Sequence, residues 1–252
     1  AKRLQFGGAT RTRVSSQCLK RHWRTATGES AWHNMDGFVE SIRSREVVTR
    51  RIINPIQVQH SLDEKTLKAL SDGFQKGVYG DKGDVAKNRQ PLLLGQPEVD
   101  YLKVQAEALL TEHGADHKAL SKATTEFFKE NKKNIGAMRE NTRLPGGLAS
   151  ALFGRMVTAD TEANIDAAIH VAHAFTVHRE ESESDYFSVV DDLHDDSDTG
   201  AAHIGDSELT SGLFYGYVVV DVPALVANTE GVSPDDWLDG DTDRDLTAEI
   251  IS

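Results

Sequence analysis

At 252 residues, 38% of them hydrophobic and without a long apolar run, the chain reads as soluble. It is long enough to bury a substantial core as one large or two small domains, and it offers no helical membrane span. The one cysteine, Cys18, excludes an internal disulfide and fits a reducing cytoplasm. The formal net charge is −12, yet residues 1–28 carry seven Lys or Arg and no acid, so a cationic edge sits on an anionic body.

That edge contains the first predicted elements. Gly7-Gly8 marks a turn. Thr10 to Val14 then alternates, with Arg11 and Arg13 on one side and Thr10, Thr12 and Val14 on the other, as a short strand does. Ser15 or Ser16 is an N-cap candidate. On the helix that follows, Gln17, Lys20, Arg21 and Arg24 fall at i, i+3, i+4 and i+7 as one polar stripe, with Leu19 and Trp23 on another side. A helix N-terminus with cations beside it suits a phosphate, so the strand arginines and the helix cations can track a sugar-phosphate backbone. Lys2 and Arg3 are candidates to join them. The same spacing equally describes a solvated amphipathic surface helix. Cys18 there is either packed beside Leu19 or a reactive thiol.

Residues 44–141 read as helical. Ser61-Leu62-Asp63-Glu64 has the form of a capping box before Leu67, Leu70 and Phe74. Gly77 to Arg89 reads as an exposed loop. Pro97 opens a second helix through Tyr101, Val104, Ala108 and Leu109 to about Gly114. A third runs from about His117 to Glu130 over Leu120, Ala123, Phe127 and Phe128, with Lys129, Lys132, Lys133 and Arg139 making its end basic.

Pro145-Gly146-Gly147 breaks this block. Leu148 to Met156 fits either a helix or a strand. In Ala167 to His178 the residues Ile169, Val171, Phe175 and Val177 alternate, and the β-branched content favours a strand. Leu213 to Val222 is the clearest strand pattern, stopped by Pro223, which starts a helix. Glu180 to Ser252 holds 20 Asp or Glu and one base, Arg244, an unfavourable surface for phosphates. His170, His173 and His178 lack Cys or carboxylate partners at zinc spacing and read as satisfied histidines. Strands at both ends around a helical block indicate an α+β fold with an insertion.

The motif FGG, a short basic strand, then Arg13, Ser15, Ser16, Gln17, Leu19, Lys20 and Arg21 resembles the opening of the CasC family, the repeated crRNA-binding backbone subunit of type I-E CRISPR Cascade. Ala151 to Met156, Ala172 to Thr176, Val190 to Leu193, Ala202 to Gly205 and Ser211 to Tyr215 match in order. Family members begin with a strand before the basic turn and continue beyond position 252, so the sequence reads as a piece trimmed at both ends.

The resemblance implies a modified RRM-like (ferredoxin-like) palm over 1–43 and 142–252, a β-hairpin thumb at about 180–210, and a helical fingers insertion over 44–141. Phe214, Tyr215 and Tyr217 are suggestive of RRM aromatics, although a strand core explains them equally. It implies RNA-backbone contacts at Arg13, Ser15, Gln17, Lys20, Arg21 and Arg24, and base-wedging at Met156, Phe187 and Ile204. Spacing by itself describes Met156 as ordinary core. Expected partners are crRNA, target DNA through the guide, neighbouring copies and other Cascade subunits. No membrane, cofactor or metal is expected, and the location is cytoplasmic. Two other readings stand beside this one: an RNA-cleaving subunit using Asp191 or Asp192 with a divalent metal, and an adaptor whose basic edge binds an acidic protein.

Overall fold

A computed structural model describes residues 2–130, 142–157, 161–189 and 203–252. Strands and helices alternate without a regular βαβ repeat, giving the α+β class. Two compact units are present. One comprises residues 1–23 and 171–219, the other residues 24–170 and 220–252.

The first unit is built on β1 (Lys2–Phe6) and β2 (Ala9–Val14), an antiparallel hairpin with Phe6 opposite Ala9. Gly7 and Gly8 both have positive φ, at 62° and 74°. A two-residue turn with two left-handed residues matches the twist of the strands that flank it, and glycine adopts it without strain. Helix α1 (Ser16–Arg24) follows β2 directly.

The second unit contains β3 (Ser41–Ser44), a π-helical turn at Val48–Ile53, and helices α2 (Asn54–His60) and α3 (Glu64–Tyr79). Strand β4 (Leu92–Gly95) pairs antiparallel with β3, and α4 (Gln96–His113) and α5 (His117–Glu130) come next. Its core unites Val48, Ile52 and Ile56 with Leu70, Phe74, Leu102, Ala106, Leu120 and Phe127. These side chains recur at helical spacing, which is why their helices form and bury one stripe. The Pro97 and His117 expectations match α4 and α5 closely. Helix Leu148–Phe153 resolves the ambiguous 148–156 segment in its first part.

The structure departs from the sequence expectations in four places. The 44–141 block is not wholly helical, because Leu92, Leu93 and Leu94 form a buried strand whose partner lies some fifty residues earlier. Ser61 is no N-cap: it is the left-handed residue that ends α2, at φ 49°, and Asp63 caps α3 by accepting from the Lys65 and Thr66 amides. The exposed 77–89 loop is shorter than expected and is tied down at its far end. Helix α3 continues to Tyr79, and Arg89 is buried, with its guanidinium bonded to Gly83 O, Gln75 and Glu46. Finally, Leu213 to Val222 is not one strand but two short pieces, Phe214–Tyr215 and Val218–Val220, with their side chains largely exposed. Pro223 does sit in the first turn of helix Val222–Glu230, capped by Asp221.

The 167–178 segment likewise divides into β5 (Ile169–Val171) and β6 (Ala174–Thr176). The break changes which face is buried. Ala174 and Thr176 point inward in β6, leaving Phe175 on the more open side. Strand β6 pairs with β2, Arg13 opposite Phe175 and Val14 opposite Ala174, and with β9 (Phe214–Tyr215) on its other edge. The sheet order is therefore β1-β2-β6-β9. Strands β7 (Ser182–Val189) and β8 (His203–Thr210) form a separate antiparallel hairpin. Among the described residues no helix is long and apolar enough to cross a membrane.

Candidate nucleic-acid interface

The junction of β2 and α1 is set by local chemistry. Val14 is held in the ladder by Ala174, and Ser15 leaves it. The Ser15 hydroxyl oxygen accepts from the Cys18 amide at 3.3 Å, and the Ser15 carbonyl accepts from the Leu19 amide at 3.1 Å. Ser15 is thus the N-cap of α1, satisfying one of the amides that a helix start leaves unpaired. The helix has no acid to oppose its positive N-terminal end. Gln17 and Arg21 are exposed, Lys20 and Arg24 partly buried, and Leu19 and Trp23 are half-covered rather than fully buried.

The N-terminal arginines separate by role. Arg11 Nε donates to Phe6 O at 2.9 Å and its Nη1 to Thr176 O at 2.8 Å, so Arg11 staples β1 and β6 instead of facing a ligand. Arg3 is held by the carboxylates of Glu180 and Glu208. The bond to Glu180 pushes Arg3 still further toward its charged form. Arg13 differs from both. Its Nη1 lies 3.2 Å from His173 Nε2, and its Nε is enclosed with no hydrogen-bond partner among the described residues. His173 Nδ1 lies 2.9 Å from the Ser16 amide. The structure therefore adds His173 to the junction. Its spacing relative to His170 and His178 gave no sign of this, because Ser16 lies 157 positions away in sequence.

Of the other two histidines in that run, one is bonded at both ring nitrogens and one is exposed. His178 Nδ1 lies 2.7 Å from Arg179 O and its Nε2 3.3 Å from the Leu213 amide, one acceptor and one donor. His170 is exposed. Among the described residues no group of three or more metal-binding side chains is assembled.

The three wedge candidates belong to different settings. In the second unit, Arg155 pairs with Ile165 as an isolated bridge, which makes the local backbone extended and its side chains alternate. Arg155 and Val157 point inward, and Met156 between them is 76% exposed. The core reading of Met156 is overturned by this alternation. Arg155 is anchored through two bonds to the Glu98 carboxylate at 2.6 and 2.8 Å. In the first unit, Phe187 stands opposite Gly205 in the β7–β8 hairpin and is 44% exposed. Ile204 stands opposite Ser188 in the same register. Asp191 and Asp192 lie outside the described residues, as do Lys132, Lys133 and Arg139.

The expected strand-core explanation of the late aromatics fails. Phe214, Tyr215 and Tyr217 are all exposed. Tyr215 packs on Phe175, with ring centres 5.8 Å apart, and Phe175 packs on Phe6 at 5.1 Å. The sheet thus carries an open row of rings on the face that Phe175 presents.

A family model described as CT1975-like protein matches residues 1–252. No curated protein matches the chain. Among solved structures, one chain of a "CRISPR RNA-guided surveillance complex, pre-nicking" is similar over 98% of this chain, with a TM-score of 0.68 and 24% identity. A chain of a second "CRISPR RNA-guided surveillance complex" is similar over 99%, with a TM-score of 0.55 and 22% identity. At that identity the likeness is one of fold. The present chain spans 64% and 63% of those two chains, just under two thirds of each.

Proposed function

This chain belongs to the CT1975-like family of Cas proteins, and from that premise we propose that it is a guide-RNA-binding backbone subunit of a type I-E CRISPR surveillance complex. Several copies line the crRNA head to tail, alongside other Cascade subunits, and leave its bases free to pair with invading DNA. An open, repeating contact is required, because a closed dimer cannot extend along a strand. Base pairing then supplies sequence specificity while the protein reads backbone and shape. The subunit is structural, not a nuclease, and works in the cytoplasm.

The observation that carries the reading is the β2–α1 junction, where a Ser15-capped, acid-free helix start meets Arg13. Ser15 Oγ already accepts from the Cys18 amide, so its hydroxyl hydrogen is available to a phosphate oxygen. Gln17, exposed in the first turn of α1, bonds phosphate or ribose. Arg13, Lys20, Arg21 and Arg24 neutralise phosphates. The exposure of Met156 and Phe187 supports their part, together with Ile204, in separating bases, since an apolar side chain kept in solvent can replace lost stacking. The two-unit division and the β7–β8 hairpin are compatible with an RRM-like palm, helical fingers and a thumb.

The test is to co-express the chain with its neighbouring genes and sequence the RNA that copurifies. Uniform repeat-flanked RNAs are expected with the native chain and not with Lys20→Glu plus Arg21→Glu. Recovery of the same RNA pool by the doubly reversed chain, in equal yield, refutes the assignment.

A further inference from the structure

His173 lies between two hydrogen-bond donors. The Ser16 amide, at the start of α1, is 2.9 Å from Nδ1, and Arg13 Nη1 is 3.2 Å from Nε2. A neutral imidazole has one N–H and one lone pair, and an imidazolium has no lone pair at all. Whatever its protonation, His173 satisfies at most one of these two donors. The enclosed Arg13 Nε–H is a third donor, without a partner among the described residues. Enclosed polar groups are nearly always paired in a completed structure. His178, with a carbonyl at one nitrogen and an amide at the other, shows what a satisfied histidine looks like in this same unit. The junction around His173 is short of acceptors.

The lone pair belongs with Ser16. The amide is fixed in direction by the helix and is the nearer donor, whereas a guanidinium carries five N–H groups and can turn. That leaves Nε2–H directed to the same place as Arg13. We propose that His173 is a phosphate-binding residue of the RNA site: it locks the start of α1 through Nδ1, and with Nε2–H joins Arg13 in donating to one phosphate oxygen of a single strand. The proposal rests on the RNA-binding reading above and adds to it a residue and a tautomer. The bound phosphate supplies the acceptor that Nε2–H lacks and that Arg13 Nη1 loses once Nε2 carries the proton.

The test uses the full chain and a fluorescein-labelled single-stranded oligouridine. His173→Phe removes both the acceptor and the donor, and a charge-assisted contact of this kind corresponds to a loss of roughly tenfold or more in affinity. His173→Gln restores one acceptor and one donor, and is expected to bind within about threefold of the native chain. The ¹⁵N shifts of the His173 ring in the native chain bound to RNA are expected to report the neutral, Nε2-protonated tautomer, a readout that does not depend on any variant folding. Native affinity in His173→Phe, or a bound ring protonated at Nδ1, overturns the proposal. If Lys20→Glu plus Arg21→Glu abolishes binding while His173→Phe keeps it, the role of His173 falls and the RNA site stands. If neither variant loses affinity, the RNA site itself falls.

Discussion

Phe187 faces Gly205 across the β7–β8 hairpin, and a Cβ placed on that glycine would come within 2.7 Å of the end of the ring. The glycine leaves room for the ring to lie over the neighbouring strand. An aromatic side chain 44% exposed is thereby held in one orientation. Phe187→Ala is expected to change the thermal midpoint little, as surface substitutions usually stay within about 0.5 kcal/mol. It should weaken single-stranded RNA binding by about 1–3 kcal/mol, the usual effect of deleting a base-stacking aromatic. Gly205→Val should reproduce that loss by displacing the ring. Fluorescence anisotropy with an unstructured RNA measures both, and undiminished affinity in Phe187→Ala removes this residue from the site.

The polar stripe of α1 makes a prediction about salt. Each single-strand phosphate contact contributes about 0.7 to the slope of log affinity against log salt, so losing two lowers it by about 1.4. Titrations of Lys20→Ala plus Arg21→Ala over a range of potassium chloride should show that flatter slope along with weaker binding at low salt. An unchanged slope places both cations away from phosphate.

Glu98 and Arg155 form a buried pair in which each side chain is 2% exposed. The Glu98 carboxylate also accepts from the Gly95 amide at 3.1 Å, and Arg155 donates to Ala163 O at 2.7 Å. Glu98→Ala strands a buried guanidinium and should cost about 3–5 kcal/mol in urea unfolding. Replacing both, Glu98→Leu with Arg155→Met, should cost less, because no charge is left unpaired. A single variant as stable as the native chain would show that the pair does not hold the segment that presents Met156.

Asp63 carries a pH prediction. Thr66, through its hydroxyl and amide, is the main cause that holds the Asp63 carboxyl below its ordinary value of 3.8, with Lys65 N–H assisting. A folded value below the unfolded one means the cap stabilises fully above about pH 3.8 and is lost as pH falls through the lowered value. Asp63→Asn keeps an N-cap acceptor but has no proton to take up, so its acid-unfolding curve should be shallower over that range. Superimposable curves followed by circular dichroism would contradict this.

Features encoded by near neighbours were legible in the chain itself. The Gly7-Gly8 reversal, the serine cap and the polar stripe of α1, and the extents of α4 and α5 all depend on residues within about four positions of each other. Ser61 misleads for a related reason: its motif is local, but α2 uses it as a terminator. Leu92 to Leu94 carried an apolar run that suits strand or helix, and only pairing with Ser41 to Ser44 selects the strand.

The sequence by itself determined where the positive charge lies, which helix bears it, and how that helix begins. The tertiary structure alone decided which arginines are committed to the scaffold: Arg3 to Glu180, Arg11 to Thr176, Arg89 to Gly83 and Glu46, with Arg13 left beside His173. The reason is physical. Periodicity and capping act through bonds between residues a few positions apart, whereas the partner of a long cationic side chain is whichever acceptor folding brings near, here as many as 205 positions away.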